Sequence, residues 1–316
     1  MRKVLIIALG VLALIGCDET NPIDSRKISF AEQYSRALIE DVEDLRKEEL
    51  KLFGTYTLGG HTARIFDAEK LFYDTELPGW DYATPQYWIM GASYNFCAVC
   101  PYIAPCTFDD SGTVTVTDYS SSTGGPDLLY AATKRNLAEG EDYSTVLLQF
   151  HHACAALQFN LINASNAKLI AVQNIRLVGL QNRGQFRFDA NGTPSWTLDG
   201  STVGDADAIQ PFGGTCTLPE GGLPVNIGVK HSLYDNGAIL VLPQNIYKSA
   251  VTLHLEYIKE GDSAYAVRNI ELGKLGGSTP DEWVSGKMYK YDLTITDNTI
   301  TTEVRVVPWV DNYIDL

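Results

Sequence analysis

The chain has 316 residues, of which 45% are hydrophobic and 20% are charged, so it is long enough to bury the cores of two globular domains. Its formal net charge is −15 and no basic stripe offsets it, which predicts no nucleic-acid partner because such a surface repels phosphate backbones. An acidic body also gains nothing from anionic headgroups, so any link to a membrane has to come from an attached lipid.

Residues 1–16 are typical of a bacterial lipoprotein signal peptide. A basic start precedes an apolar run too short to span a bilayer of roughly 30 Å, and the run ends in the lipobox-like sequence ALIGC. This pattern predicts that Cys17 carries a diacylglycerol and that residues 17–27 form a lipidated tether. Asp18 and Glu19 resemble an acidic sorting tag, so we expect a surface-exposed lipoprotein of the cell outer membrane. The alternative is an ordinary secretory signal with a chance cysteine.

A short N-terminal helical segment is expected between two strands. The strands are KISF at 27–30 and LKLFGTY at 50–56, and the sequence between them is rich in Glu, Leu, Ala, Lys and Arg. Within it Leu38, Val42 and Leu45 fall at helical spacing, which predicts a helical turn or two.

Most of the remaining chain alternates apolar and polar residues, which is typical of half-buried strands. Val114 and Val116 share one face of TVTVTDY, and residues 291–307 indicate two strands about a turn. Further strands are expected at 237–244 and 250–258. Many short strands separated by Gly, Pro, Asn and Asp predict an all-β sandwich or barrel.

The polar segment NASNAK at 163–168 is the predicted domain boundary. It follows a strongly apolar stretch and precedes the predicted strand LIAVQNIRLVGL. We therefore expect an N-terminal β-sandwich at 28–165 and a C-terminal β-sandwich at 166–316.

The five cysteines after Cys17 do not form a regular disulfide pattern. They are Cys97, Cys100, Cys106, Cys154 and Cys216. If SYNFCAVC is a strand, Cys97 and Cys100 are three residues apart and point to opposite faces, so they can neither bridge nor share a metal. The sequence predicts buried packing thiols and no metal site.

The histidine pair is the most suggestive feature for chemistry. His151 and His152 are adjacent, so on a strand at most one of them points to any given site. His152 is in phase with Leu148 and Phe150, which predicts a core histidine satisfied by a neighbour. Nucleotide-binding and hydrolase motifs are absent from the sequence, so we expect no catalytic residue, no cofactor and no enzyme. The alternative is an enzyme whose site leaves no motif.

The densest aromatic cluster is Trp80, Tyr82, Tyr87 and Trp88. Such rings could form a platform that stacks against a glycan, but in a β-rich chain they more often pack between strands.

Seven short segments, mostly apolar, occur in a characteristic order. They are YWIMGASYNFCAVCPY (87–102), DLLYAATKRN (127–136), VLLQFHHACAALQFNL (146–161), IRLVGL with GQF (175–186), LVLPQ (240–244), GKMYKYDLTI (286–295) and VPW (307–309). This order, behind a lipobox, resembles the fimbrillin family in its Mfa-like branch. Cys97 and Cys100 depart from the family pattern, since they stand where we expect aromatic residues.

The resemblance implies two tandem transthyretin-like Greek-key β-sandwiches, exported as a lipoprotein and assembled into type V pili, or fimbria, on the cell surface. In polymerising members an arginine-specific protease removes the first strand, and a neighbouring subunit donates a strand to the open groove. The implied partners are other pilus subunits, the membrane through the lipid on Cys17, and a glycan or protein of a host or bacterial surface.

Three arginines are candidate cleavage sites for such an assembly. Cleavage after Arg46 would excise the first strand, Arg36 and Arg26 are rival sites, and the alternative is that Arg46 is an ordinary solvated helix residue. The segment 299–316 is the candidate donor, unless it is the last strand of its own sandwich. The competing hypothesis is a non-polymerising surface lipoprotein that binds glycan through the Trp80–Trp88 aromatics.

Overall fold

The computed structural model describes most of the chain after the predicted tether. The described ranges are 26–33, 45–121, 127–137, 142–204, 224–233, 238–275 and 280–309. The predicted signal peptide, Cys17, Arg36, Cys216 and residues 34–44 of the predicted helical segment lie outside them.

Strands and turns account for nearly all of the described residues, which confirms the predicted all-β class. The first half of the chain contains β1 (Phe30–Gln33), β2 (Leu50–Leu58), β3 (His61–Asp74), β4 (Gly79–Tyr82), β5 (Ser93–Cys100), β6 (Cys106–Phe108), β7 (Val114–Ser120), β8 (Leu129–Asn136), β9 (Val146–Gln149), β10 (His151–His152) and β11 (Ala155–Asn163). The second half contains β12 (Leu169–Val178), β13 (Arg183–Phe188), β14 (Pro194–Leu198), β15 (Lys230–Ser232), β16 (Ile239–Val241), β17 (Gln244–Asn245), β18 (Thr252–Lys259), β19 (Ala266–Glu271), β20 (Glu282–Trp283), β21 (Lys287–Ile295) and β22 (Ile300–Pro308), with a 3₁₀ turn at Leu272–Lys274.

The strands predicted from alternation are present. Val114 and Val116 on β7 are fully buried, while the threonines between them are partly exposed. The predicted pair about the turn at 297–298 is the antiparallel hairpin of β21 and β22. Within the described ranges, no helix is long and apolar enough to cross a membrane.

The first sandwich is built on an eight-stranded sheet in the order β10-β8-β5-β2-β3-β4-β1-β9. All neighbours are antiparallel except β1 and β9, which run parallel. The sheet curls until β9 at one end lies against β8 near the other, and it encloses an aromatic core that includes Phe66, Tyr94 and Phe96. β1 therefore lies between β4 and β9 and pairs with both of them.

A four-stranded sheet, β14-β13-β7-β6, covers the opposite face of β2, β5 and β8. Phe53 stacks on Phe108 with ring centroids 5.2 Å apart. Tyr130 lies 5.0 Å from both Phe186 and Phe188. The first sandwich therefore has a core on each face of its large sheet.

The second sandwich packs the sheet β15-β11-β21-β22, with β16 also on β11, against the sheet β12-β18-β19. Phe159 stacks on Tyr291 at a centroid distance of 4.9 Å, and the Tyr291 hydroxyl accepts a 3.0 Å hydrogen bond from Trp283 Nε1. These contacts join β11, β20 and β21 in the C-terminal core.

Strand pairing crosses the predicted domain boundary at 163–168. The predicted N-terminal sandwich, 28–165, includes β11, yet β11 pairs in parallel with β21 over eight positions and lies in the second sandwich. Conversely, β13 and β14 fall in the predicted C-terminal sandwich, 166–316, but β13 pairs with β7 of the first. The alternation of apolar and polar residues identifies the faces of a strand but not the strands beside it. A domain boundary predicted from composition therefore does not separate the two sets of sheets.

Both sandwiches contribute buried side chains to the core at their junction. Trp309, just after β22, stacks on the His152 ring at 3.5 Å and nearly parallel. His152 Nδ1 also shares a hydrogen bond with the Asp127 carboxylate, and the ring is buried. The prediction of a core histidine satisfied by a neighbour is thus confirmed.

We expect Trp309→Ala to lower the free energy of unfolding by about 3–5 kcal/mol, because it removes a buried ring from this shared core. Guanidinium unfolding followed by circular dichroism measures the change. Val306→Ala, on a side chain that is 46% exposed on the same strand, is the matched control and should cost about 1 kcal/mol or less. Equal effects of the two substitutions would contradict the role given to the junction.

Candidate functional site

Strand β1 occupies a slot between β4 and β9. Phe30 pairs with Trp80 of β4 on one side, and the whole strand runs parallel to β9 from Phe30 opposite Val146 to Gln33 opposite Gln149. The predicted first strand, 27–30, overlaps this element, and a bridge between Lys27 and Tyr87 precedes the regular strand.

Two apolar side chains of this segment are buried in the core of the first sandwich. Ile28 is fully buried, and Phe30 meets Phe66, Tyr82 and Phe96 edge-on with centroids 5.4–6.0 Å apart. Burial of side chains of this size contributes about 1.5–3 kcal/mol each. The slot therefore has an aromatic pocket, defined here as the Phe30 pocket.

The next position in phase with Ile28 and Phe30 is Glu32, an acid rather than another apolar residue. Its side chain is only 12% exposed. The carboxylate accepts a 2.6 Å hydrogen bond from Trp80 Nε1 on one oxygen. On the other oxygen it accepts bonds of 2.6 Å from Arg46 Nη2 and 3.1 Å from Arg46 Nε.

These contacts keep the Glu32 carboxylate charged. Burial, the largest influence, raises its pKa, but hydrogen bonds from its own backbone, from Arg46 and from Trp80 act together with the Arg46 charge to hold the pKa below its ordinary 4.5. The ion pair is therefore present at neutral pH.

Arg46, the first candidate cleavage site, is a packed residue and not an ordinary solvated one. Its guanidinium lies 4.5 Å from the centre of the Tyr73 ring, in cation–π geometry. Leu45 before it is buried in the same core as Phe30, and a turn from Leu45 to Glu48 leads into β2. Sequence reasoning missed Glu32 as its partner, although the phase of Glu32 with Ile28 and Phe30 could have indicated an inward carboxylate.

The other candidate cleavage sites differ in position. Arg26 is exposed, precedes β1 and lies over the Tyr143 ring at 5.9 Å. Arg36 lies outside the described residues, in the sequence between β1 and Leu45.

The predicted glycan-stacking residues are mostly core residues. Trp80, Tyr82 and Trp88 are buried, and the Tyr82 hydroxyl donates a 2.7 Å hydrogen bond to the Ile28 carbonyl. Tyr87 alone among the four is exposed, at 40%. Trp80 and Tyr82 thus line the β1 slot and Trp88 packs on Tyr94 and Phe96, so the three buried rings offer no face to a sugar, which matches the strand-packing alternative.

The described cysteines are free thiols, and they are buried or half-buried. Cys97 faces the core between the two sheets of the first sandwich, whereas Cys100 faces the core enclosed by the large sheet, so the prediction of opposite faces is confirmed. Burial raises the pKa of Cys97 to about 12 and that of the less buried Cys106 to about 11. Among the residues that the structure describes, no three His, Cys, Asp or Glu side chains cluster as metal ligands.

A cleft of about 560 Å³ lies at the junction of the sandwiches. Its walls include His151, Trp196 and Trp309, together with the charged residues Glu282 and Lys287. The Trp196 indole donates to the Ala153 carbonyl at 2.8 Å, so its polar edge is used within the fold.

Comparison with known proteins gives a consistent result. The model of the fimbrillin-like family matches residues 41–309. A fimbrial protein from Bacteroides vulgatus aligns at 15% identity with a TM-score of 0.62, covering 90% of this chain and 99% of that one. A Bacteroides uniformis protein assigned to cell adhesion aligns at 15% identity with a TM-score of 0.52, covering 90% and 97%. At these identities the solved structures show a shared fold. No curated protein sequence matches the chain.

Glu32→Gln should lower the free energy of unfolding by about 1–3 kcal/mol near neutral pH, because it removes the charge from a buried, doubly hydrogen-bonded group. A carboxyl with a depressed folded pKa stabilises above its unfolded pKa, and the contribution is lost as the pH falls through the folded value. The difference between wild type and variant should therefore shrink below a pH of about 4, as urea unfolding measured across pH would show.

The matched control is Glu49→Gln, since Glu49 pairs with Lys70 at 2.6 Å on the surface, where both side chains are about half exposed. We expect a change of about 0.5 kcal/mol or less there. A loss at Glu32 no larger than that at Glu49 would contradict the role given to the Glu32 carboxylate.

The buried thiols should react with a thiol reagent only after unfolding. At a pH of about 8, Cys97, Cys100 and Cys154 should stay unlabelled in the native protein, because burial raises the pKa of each thiol and blocks access. Cys106, only half-buried, should label faster. Peptide mapping by mass spectrometry reads out each site, and rapid native labelling of Cys97 would contradict its placement.

Proposed function

The chain belongs to the fimbrillin-like family, and on that premise we propose that it is a structural and adhesive subunit of a cell-surface type V pilus. The family match over residues 41–309 and the shared fold with a fimbrial protein support this proposal. The cell surface is the location that such a role requires.

Export as an outer-membrane lipoprotein is part of the same proposal. It rests on the sequence pattern ahead of Cys17, where a basic start and an apolar run end in ALIGC. A lipid on Cys17 would tether the strongly acidic chain to a membrane that its surface charge does not attract.

The observation that carries the proposal is the position of β1. This strand of four residues lies between β4 and β9, and the side chains of its Phe30 and of Ile28, just before the strand, are buried in the core. Its removal would open a groove with strand edges on both sides and vacant apolar pockets, which is the arrangement that β-augmentation fills. We propose that a strand from a neighbouring subunit replaces β1.

The structure supports Arg36 as the first cleavage site to test. A cut after Arg26 would leave β1 joined to the body, because Arg26 precedes the strand. A cut after Arg46 would also discard the buried Leu45 and the guanidinium bound to Glu32. A cut after Arg36 would release β1 and keep both, so we place Arg46 second.

The donor segment that we propose is narrower than the predicted 299–316. Residues Ile300–Pro308 form β22, which pairs with β21 over nine positions, and Trp309 is buried. Residues Ile300–Pro308 therefore serve as the last strand of the second sandwich. We propose residues 310–316 as the donor.

Mass spectrometry of the N-terminus of protein recovered from the cell surface tests the proposal. A terminus at Ala37 is expected. Arg36→Lys should prevent an arginine-specific cut while keeping the charge, and Arg26→Lys is the matched control that should leave processing unchanged. An intact, lipidated Cys17 throughout the surface pool would overturn strand exchange and favour a non-polymerising surface lipoprotein that binds glycan.

A further inference from the structure

We propose that the outer edge of β22 is an interaction surface for a second copy of the chain. In this dimer the two β22 strands pair antiparallel about a two-fold axis at Val304, and Glu303 of each copy lies opposite the partner's Arg305. The inference does not require β1 to be displaced, so it stands independently of strand exchange.

The outer edge of β22 is open within the part of the chain that the structure describes. The strand lies at one end of its sheet, and no further described strand pairs with it. It is nine residues long and keeps one register with β21 throughout, so no bulge interrupts it. Proline stands only at its last position, Pro308. A long, continuous edge of this kind is a template for another strand.

Two hydrogen bonds determine which backbone groups of β22 point outward. At the turn, the Thr296 amide donates to the Thr299 carbonyl at 2.9 Å, and at the far end the Trp309 amide donates to the Gly286 carbonyl at 3.1 Å. Because pairs alternate along an antiparallel ladder, the odd-numbered residues of β22 bond to β21 and the even-numbered ones face away from it. The residues with outward amides are Ile300, Thr302, Val304 and Val306.

Charge selects one register for two such strands. Hydrogen bonding across the new edge requires even-numbered residues to oppose even-numbered residues. An axis at Val304 meets this condition and places Glu303 opposite the partner's Arg305 twice. An axis at position 303 would oppose the two Glu303 carboxylates, and an axis at position 305 would oppose the two Arg305 guanidinium groups. Like charges directly opposite one another are destabilising, so the axis at Val304 is favoured.

Glu303 has no cationic partner among the described residues of its own chain. It is exposed, and the residue opposite it on β21 is another carboxylate, Asp292. Three donors already hold Asp292, namely Arg305 at 3.3 Å, Lys230 at 3.2 Å and Asn160 at 2.6 Å. Arg305 is about half exposed and contacts Asp292 through Nη2, which leaves guanidinium donors for the partner's Glu303.

The other face of β22 also suits a second copy. Val304 packs against the core of the second sandwich, whereas Val306, on the same face of the strand, is exposed. In the proposed register Val306 lies opposite the partner's Thr302, and the two Val304 side chains lie opposite each other. Such β-branched pairs stabilise neighbouring strands, so the dimer covers a valine that the single chain leaves exposed.

Repulsion between two acidic chains limits the strength of this dimer. Each copy carries a net charge of −15, which opposes association in general. A contact along one strand edge also lies at the low end of interface sizes, so we expect a Kd on the order of 10 µM.

Sedimentation equilibrium of the full, uncleaved mature chain between about 1 and 300 µM tests the proposal. The uncleaved chain retains β1, so strand exchange does not contribute. We expect a monomer–dimer equilibrium, and Glu303→Arg should raise its Kd about tenfold or more because it opposes two pairs of cations. The matched control is Glu76→Arg in the exposed turn between β3 and β4, which changes the net charge equally and should alter Kd less than about threefold.

A mixing experiment separates the register from any loss of stability. Arg305→Glu alone should also weaken the dimer about tenfold or more, because it opposes two pairs of carboxylates. When this variant is mixed with Glu303→Arg, every substituted side chain meets the opposite charge across the axis. The mixture should therefore recover a Kd within about threefold of wild type, although each variant alone is mostly monomeric. Circular dichroism of each variant checks that it is folded.

Amide hydrogen exchange at single-residue resolution examines the backbone of the same edge. The amides of Thr302, Val304 and Val306 should exchange about fivefold or more slowly at high concentration than at low concentration. Those of Glu303 and Arg305 bond to β21 in both states and should not change.

Three results would overturn the β22 interface. They are a chain that stays monomeric up to about 300 µM, a dimer whose Kd is unaffected by Glu303→Arg, and folded variants that do not associate when mixed. Recovery on mixing together with slowed exchange at the even-numbered amides would support it. None of these results bears on removal of β1, which the N-terminus of the surface protein tests separately.

Discussion

The large sheet of the first sandwich depends on the insertion of β1 between β4 and β9. Without it, the hydrogen-bonded path round the curled sheet is interrupted, although β9 still lies beside β8. The contact joins residues far apart in the chain: Val146 donates a 2.7 Å hydrogen bond to the Ser29 carbonyl. Contacts of such sequence separation have a high loop-closure cost and tend to form late in folding. The sheet is thus completed by a short element whose loss leaves every other strand covalently in place.

The Glu32 carboxylate on β1 lowers the stability of the sheet relative to an apolar side chain, but it makes the register of the strand specific. Desolvation of Glu32 is costly, and the donors on Arg46 and Trp80 offset that cost. An apolar side chain would fill the position without fixing alignment. With Glu32, a slip of two residues in one direction would carry the charge into the Phe30 pocket, and a slip in the other direction would bring Phe30 beside the guanidinium, so the polar contact selects one register.

Much of the fold could be predicted from the sequence, because the alternation of apolar and polar residues shows directly which face of a strand is buried. It identified β7, the hairpin of β21 and β22, the opposed thiols of Cys97 and Cys100, and the buried ring of His152. Alternation carries no information about neighbours, so the parallel pair of β11 and β21 and the passage of β13 into the first sandwich were missed. The Glu32–Arg46 contact was missed for a related reason: it depends on how a turn outside the strand folds back to bring Arg46 and Trp80 to the same carboxylate.

The hairpin of β21 and β22 has a mechanical consequence. A pull along the axis of β22 acts on nine positions that are paired antiparallel with β21. Force along the strand loads these hydrogen bonds in shear, so that they resist together and do not open one at a time. The stacked Trp309 and His152 rings stand at the end where the tension enters, and they would anchor it to the first sandwich. In a filament, traction between neighbours would then pass through the body of each subunit from one sandwich to the other.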